Sequence, residues 1–280
     1  MAEYASPEVL VETDWLEQHG GDDNIAVIEV DEDVQAYEKG HIPNAISIDW
    51  ENELHDNPRR EFISSEQLAS LLGQKGVKTG DTIVLYSGNN NWFAAYAYWL
   101  FQYRGVDNVK LLNGGRKKWE LESRLLTPDL PSRSATTFEI GSGRPEFRVF
   151  RDEVLRFATS GEGNWVDVRS PEEFRGELLA PPHLPQEQAQ VPGHIPGAAN
   201  ITWSKTVNED GSFKFADELE ELYKAEGITR DQSIIAYCRI GERSSHSWFV
   251  LRELLGFDNV RNYDGSWTEY GSLVGAPVEK

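Results

Sequence analysis

Residues 227–265 read GITRDQSIIAYCRIGERSSHSWFVLRELLGFDNVRNYDG. The apolar run Ile234–Tyr237 has the length and content of a buried strand. Beyond it, Trp248, Leu251, Leu254 and Leu255 recur at helical spacing, and Gly256 supplies a stop. The polar loop Cys238-Arg239-Ile240-Gly241-Glu242-Arg243-Ser244-Ser245 lies between them, so the cysteine is expected to end a strand with a helix beginning a few residues later. Ligands of open α/β sheets bind outside the carboxyl ends of the strands, which is where this order puts the thiol.

The same pattern occurs earlier in the chain. Residues 76–114, GVKTGDTIVLYSGNNNWFAAYAYWLFQYRGVDNVKLLNG, align onto 227–265 without a gap at an offset of 151. Gly76 meets Gly227, Ile83 meets Ile234, Tyr86 meets Tyr237, and Asp107-Asn108-Val109 meets Asp258-Asn259-Val260. Upstream, GHIPNA at 40–45 matches GHIPGA at 193–198. A fixed offset of this kind marks a tandem duplication. In each half, short apolar runs alternate with helical patterns: AVIEV, TIVLY and NVKLL in the first, NWVDV, SIIAY and NVRNY in the second. The expected fold class is therefore α/β, with two tandem domains that are each a mainly parallel sheet flanked by helices. Their expected bounds are 8–126 and 149–278, joined by a segment at 127–148 rich in Pro, Gly, Ser and Thr. Prolines in the loop at 176–192 exclude a regular helix or central strand there.

A chain of 280 residues is long enough for two cores. Its formal net charge of −20 argues against nucleic acid or an anionic membrane as partner, so an anionic substrate needs a local positive site. One cysteine excludes an internal disulfide and any CxxC centre. No basic start precedes an apolar core, and no apolar run approaches the roughly 18 residues that span a bilayer, so a cytoplasmic location is expected. The six histidines show no metal-ligand spacing, and neither metal nor cofactor is expected.

The loop itself has the composition of an anion cradle. Backbone N–H groups at a helix N-terminus converge on the sulfur, and Arg239 and Arg243 add positive charge, all favouring thiolate, with Glu242 opposing. Ser244 or Ser245 is placed to cap the helix. A lone cysteine is usually an inert buried thiol. Two arginines, a glycine and two serines directly after it argue otherwise.

Taken together, the strand, the loop CRIGER, the helix, the HIPGA segment and the duplicated halves resemble the two-domain rhodaneses of the thiosulfate sulfurtransferase type, from about Val11 to Tyr270. The resemblance implies an inactive N-terminal half, since Ser87 occupies the position of Cys238 in a loop Ser-Gly-Asn-Asn-Asn without a basic residue. No base is evident beside Ser87, and a hydroxyl does not ionise without one. His41 and His194 occur in both halves and read as structural, while His246 reads as a packing or surface residue. The resemblance further implies that the Cys238 thiolate attacks the outer sulfur of thiosulfate, expels sulfite and holds a persulfide, which cyanide or a thiol then discharges. Arg243 is expected to bind the sulfonate end of the donor and Arg239 to raise the local potential. Ile240, Gly241, Glu242 and Ser244 complete the persulfide-stabilising loop. Some rhodaneses carry another substrate-binding arginine after the DxR segment; here Asp167-Val168-Arg169 is followed by Glu173 and Phe174, with Arg175 the nearest cation. Cysteine phosphatases of related fold use Cys-x5-Arg, whereas this loop is Cys-x4-Arg, a tighter cradle suited to sulfur. Enzymes using 3-mercaptopyruvate have a small, largely uncharged loop, unlike CRIGER. A persulfide carrier serving a protein partner would use the same cysteine.

Overall fold

The computed structural model describes residues 3–180 and 188–280, so residues 181–187 of the loop expected at 176–192 lie outside the described part. The chain divides into two α/β units. One takes residues 8–144 with 209–213; the other takes the segment up to Pro7, 145–208 and 214–280.

The first unit contains β1 (Leu10–Val11), β2 (Ile25–Asp31), β3 (Ile46–Asp49), a small antiparallel pair β4 (His55–Asp56) and β5 (Glu61–Phe62), then β6 (Thr82–Tyr86) and β7 (Val109–Leu112). Its main sheet has the order β1-β7-β6-β2-β3 and every pairing in it is parallel. The second unit has β8 (Asn164–Asp167), β9 (Ala199–Asn200), β10 (Ile234–Tyr237) and β11 (Val260–Tyr263), in the order β11-β10-β8-β9 and again parallel. All six apolar runs singled out in the sequence are strands. Central β2 and β10 are buried along their whole length, as strands covered on both faces must be. Val27, Val84, Tyr86 and Trp119 pack in one core, and Trp165, Ile235, Tyr237 and Trp267 in the other.

The shared Tyr and His-Ile-Pro motifs have one structural purpose. Tyr86 lies opposite Glu29 in the sheet, and Tyr237 lies opposite Asp167. The Tyr86 hydroxyl accepts the Ile42 N–H at 3.1 Å, and the Tyr237 hydroxyl accepts the Ile195 N–H at 3.1 Å. His41 stacks on Tyr37 with its Nδ1 2.9 Å from the Tyr37 carbonyl oxygen; His194 stacks on Phe174 with Nδ1 2.8 Å from the Phe174 carbonyl oxygen. Each histidine also pairs through its backbone with a returning segment in an isolated bridge, His41 with Thr127 and His194 with Glu279. Beyond Thr127 the segment expected to join the halves stays on the first unit: Thr136 N–H donates to Gly73 O at 2.8 Å and Gly141 N–H to Gly105 O at 3.0 Å. The N-terminal segment lies on the second unit, where Ala5 N–H donates to Leu254 O at 2.9 Å.

Candidate active site

Cys238 directly follows β10 and has no exposed surface. Its Sγ accepts the Gly241 N–H at 3.1 Å. That approach depends on Gly241, whose φ of 101° lies in the left-handed region and whose added Cβ would meet the Asp264 Cα at 2.7 Å. From below, the Ser266 hydroxyl accepts the Cys238 N–H at 3.0 Å while donating to the Tyr263 carbonyl at 2.7 Å. Its oxygen lies 4.0 Å from Sγ, with its one proton already directed to Tyr263.

The helix runs Glu242–Phe249 with Gly241 as its N-cap, which corrects the expectation that Ser244 or Ser245 caps it. Both serines sit inside the first turn, and their hydroxyls donate back to the Gly241 carbonyl at 3.0 and 2.8 Å. A serine already inside the helix returns its hydroxyl to the carbonyl three or four residues back, and so is not placed to cap. Asn262 Nδ2 donates to the same carbonyl at 3.2 Å and to Ser245 Oγ at 2.9 Å, tying the loop to β11. Further on the turn widens, with Leu255 N–H donating to Val250 O in a π-helical segment, Val250–Leu254.

Glu242 is buried, and the Cys238 S–H points to its Oε2 at 3.6 Å. Burial pushes the thiol up, Glu242 pushes it the same way, and Arg243 with Ser244 offsets only part. Burial and Glu242 thus oppose the thiolate that the two arginines favour. The loop's composition reveals the two cations; it does not reveal that the sulfur is fully desolvated. Burial likewise raises the Glu242 carboxyl, against the opposing pull of Arg243 and Arg239.

Arg243 is buried and makes a bidentate pair with Glu173, Nη1 to Oε2 at 2.8 Å and Nη2 to Oε1 at 3.0 Å. Glu173 belongs to the short helix Pro171–Phe174, where Ser170 and Glu173 form a capping box. Burial opposes its ionisation, but the contacts with Arg243 prevail and hold its carboxyl below the usual range. The acidic residue that departs from the family pattern is thus the partner of the loop's last arginine. Arg239 is buried and Ile240 half-buried. Arg175 lies at the surface, bonded to Glu177 at 2.8 and 3.0 Å. His246 is buried with its ring edge-on to Trp203 at 5.2 Å.

In the first unit, Ser87 is also buried, its hydroxyl accepting the Ala94 N–H at 3.1 Å and donating to the Gly88 carbonyl at 3.1 Å. Asn89, Asn90 and Asn91 take φ values of 46°, 55° and 63°, a left-handed turn that only residues such as Asn and Gly adopt readily.

The sequence singled out the whole loop but not Ser266 or the role of Glu173. For Ser266 the repeat holds a signal, because the offset of 151 sets it opposite Gly115, and each has positive φ, 51° and 55°.

The rhodanese-like domain family matches the chain twice, over residues 12–122 and 151–273. A protein of Saccharopolyspora erythraea provisionally named a thiosulfate sulfurtransferase is 59% identical over 272 residues, covering 97% of this chain and 96% of its own. The sulfur carrier protein TtuD of Thermus thermophilus is 52% identical over 280 residues, covering 99% of this chain and 98% of its own. Among solved structures, an EanB variant with ergothioneine covalently linked to a persulfide cysteine matches with a TM-score of 0.86 at 26% identity, covering 100% of this chain and 72% of that one.

Proposed function

The chain belongs to the rhodanese family, and we propose that it is a sulfurtransferase in which Cys238 takes sulfane sulfur from thiosulfate as a persulfide and passes it to cyanide or a thiol. The observation that carries this reading is the 3.1 Å approach of the Gly241 N–H to Cys238 Sγ, in a turn closed by left-handed backbone. A donor fixed at the sulfur without side-chain reorganisation stabilises negative charge as it develops there.

In the first step the Cys238 sulfur bonds to the outer sulfur of thiosulfate, the sulfur–sulfur bond of the donor breaks, and sulfite leaves with the electron pair. In the second, the acceptor bonds to the outer sulfur and the electron pair returns to Cys238. Arg239 and Arg243 supply positive charge for the dianionic donor. Because Glu173 holds both Nη groups of Arg243, a sulfonate reaches that fork by exchanging with the carboxylate. A thiol that must be free at each turnover suits a reducing cytoplasm.

Intact-protein mass spectrometry tests the reaction class: thiosulfate should add one sulfur at Cys238, and cyanide should remove it. No mass gain with thiosulfate would sink the reading. A carrier role is the second reading, favoured by the 52% identity to a sulfur carrier protein. It predicts the same mass gain, with discharge to a protein acceptor and slow discharge to small thiols.

A further inference from the structure

We infer that Glu242 is a second catalytic residue, the base that takes the Cys238 proton as sulfur is loaded and returns it as sulfur is discharged. The inference rests on the persulfide reading above. Its first support is the contact itself, Cys238 Sγ to Glu242 Oε2 at 3.6 Å, with both groups enclosed in protein.

The second support comes from the other repeat. The residue matching Glu242 at the offset of 151 is Asn91, whose Oδ1 accepts the Ser87 N–H at 3.0 Å. There the side chain secures the amide that ends the strand. In the second repeat Ser266 Oγ has taken over that amide, accepting the Cys238 N–H at 3.0 Å. With Asn91 so placed there is no room for a Ser266-like side chain, since a Cβ on Gly115 would meet Asn91 Oδ1 at 2.2 Å. The exchange releases position 242 from backbone duty, and its carboxylate points at the sulfur instead.

The third support is charge conservation. A thiol beside a carboxylate carries one negative charge, and so does a persulfide anion beside a carboxylic acid. Thiosulfate enters as a dianion and sulfite leaves as a dianion, so moving the proton from Sγ to Oε2 balances the step with no net charge created in the buried site. In the persulfide form the protonated Glu242 donates to the anionic sulfur. When the acceptor takes the outer sulfur, the same proton goes back to Cys238. The charged groups around Glu242 suit this exchange. Arg239 and Arg243 face it from its own loop and helix, and Glu173 reaches it through Arg243. Beyond Gly241, Asp264 is already paired with Arg148 at 2.8 Å.

Glu242→Gln, compared with wild type and Glu242→Asp, gives the test by two readouts. The first is the pH profile of thiosulfate kcat/KM. Loss of the base should lower it by roughly 100- to 10,000-fold at neutral pH, with recovery as the solution becomes alkaline and partial activity in the Asp variant. The second is proton release during a single sulfur loading in weak buffer, at a pH where sulfite stays a dianion. Wild type should release almost none, and Glu242→Gln close to a full proton per site. If Glu242 were only a neighbouring charge, removing it would ease thiol ionisation, and the Gln variant would match or exceed wild type at neutral pH; that result overturns the inference. Equal proton release in both proteins overturns it as well. Absence of any persulfide in wild type by mass spectrometry is a different failure, and removes the sulfurtransferase reading itself.

Discussion

Replacing Glu173 with Gln tests the buried pair that anchors the loop after Cys238. Glu173 is 1% exposed and Arg243 4%, and two bonds of 2.8 and 3.0 Å join them. An amide in place of the carboxylate leaves a guanidinium charge in the interior without its counter-ion. Breaking such a pair from one side costs about 3–5 kcal/mol, because the remaining charge stays desolvated. At roughly 2–4 °C per kcal/mol for a folding unit of this size, the thermal midpoint at neutral pH should fall by about 6–20 °C. The gap should shrink in acid. Burial works against ionisation of Glu173, but Arg243 outweighs it and keeps the folded carboxyl below its ordinary 4.5. Between the folded value and 4.5 the unfolded chain binds more protons, so the pair's contribution is complete above 4.5 and disappears as pH falls through the folded value. The chemistry should move in the opposite direction from stability. With Arg243 no longer neutralised, the Cys238 thiol should titrate at lower pH, which ultraviolet thiolate absorbance can follow cleanly because the chain has one cysteine. A stability loss below about 1 kcal/mol, typical of an exposed pair, would refute the reasoning, as would a gap unchanged through the acid range.

Cys238→Ser should retain the fold by circular dichroism and gain no sulfur from thiosulfate; residual turnover would end the persulfide mechanism. Gly241→Ala should lose at least about 1–2 kcal/mol in urea unfolding, because a side chain is strained at positive φ, and lose turnover because the loop N–H leaves the sulfur. Wild-type kcat/KM should be higher for thiosulfate than for 3-mercaptopyruvate, and Arg243→Lys should keep only part of it, since lysine supplies the charge without the planar fork. Parallel steady-state kinetics with both donors would decide that point, and a preference for mercaptopyruvate would overturn the donor assignment alone.

The sheets were legible because the strand runs recur in the same order in both halves, and a duplicated buried strand has little freedom to vary. Tyr86 and Tyr237 illustrate this: each spans from a central strand to the backbone after a histidine, so each must be Tyr. The loop was legible as a unit, since polar residues directly after a buried strand stand out. Its electrostatics were not. Whether Arg239 and Arg243 win over burial depends on how much water reaches Sγ, which no local pattern records. The partner of Arg243 is 70 residues away along the chain, and the sequence showed Glu173 only as an acidic residue where a cation was expected.

The two repeats also meet one structural demand from positions the offset does not relate, and this bears on the proposal that the first half carries no sulfur. An arginine joins a carboxylate near the carboxyl end of a strand to the glycine carbonyl before His-Ile-Pro in both, half-buried as Arg116 in the first unit and fully buried as Arg169 in the second. In the second unit it is Arg169, just past β8, bonded to Asp167 at 2.6 Å and to Gly193 O at 2.7 Å, with its guanidinium over Trp267. In the first unit it is Arg116, from the helix after β7, bonded to Glu29 at 3.1 Å and to Gly40 O. The strand position that holds Arg169 in one repeat holds Asp31 in the other, and the Asp31 carboxylate accepts the Gly88 N–H at 2.8 Å. That amide belongs to the loop corresponding to CRIGER. Near this loop, Glu29 pairs with Arg116 while Asp31 is held by backbone N–H groups, whereas Asp167 pairs with Arg169. The first loop therefore lacks more than a thiol: it has no cation of its own, and a carboxylate occupies one of its N–H groups. Ser87→Cys in a Cys238→Ser background should consequently gain no sulfur from thiosulfate by mass spectrometry, despite a thiol at the matching strand end. Loading comparable to wild type would show that a cysteine after the strand is sufficient, and that the surrounding charges are not what separates the two halves.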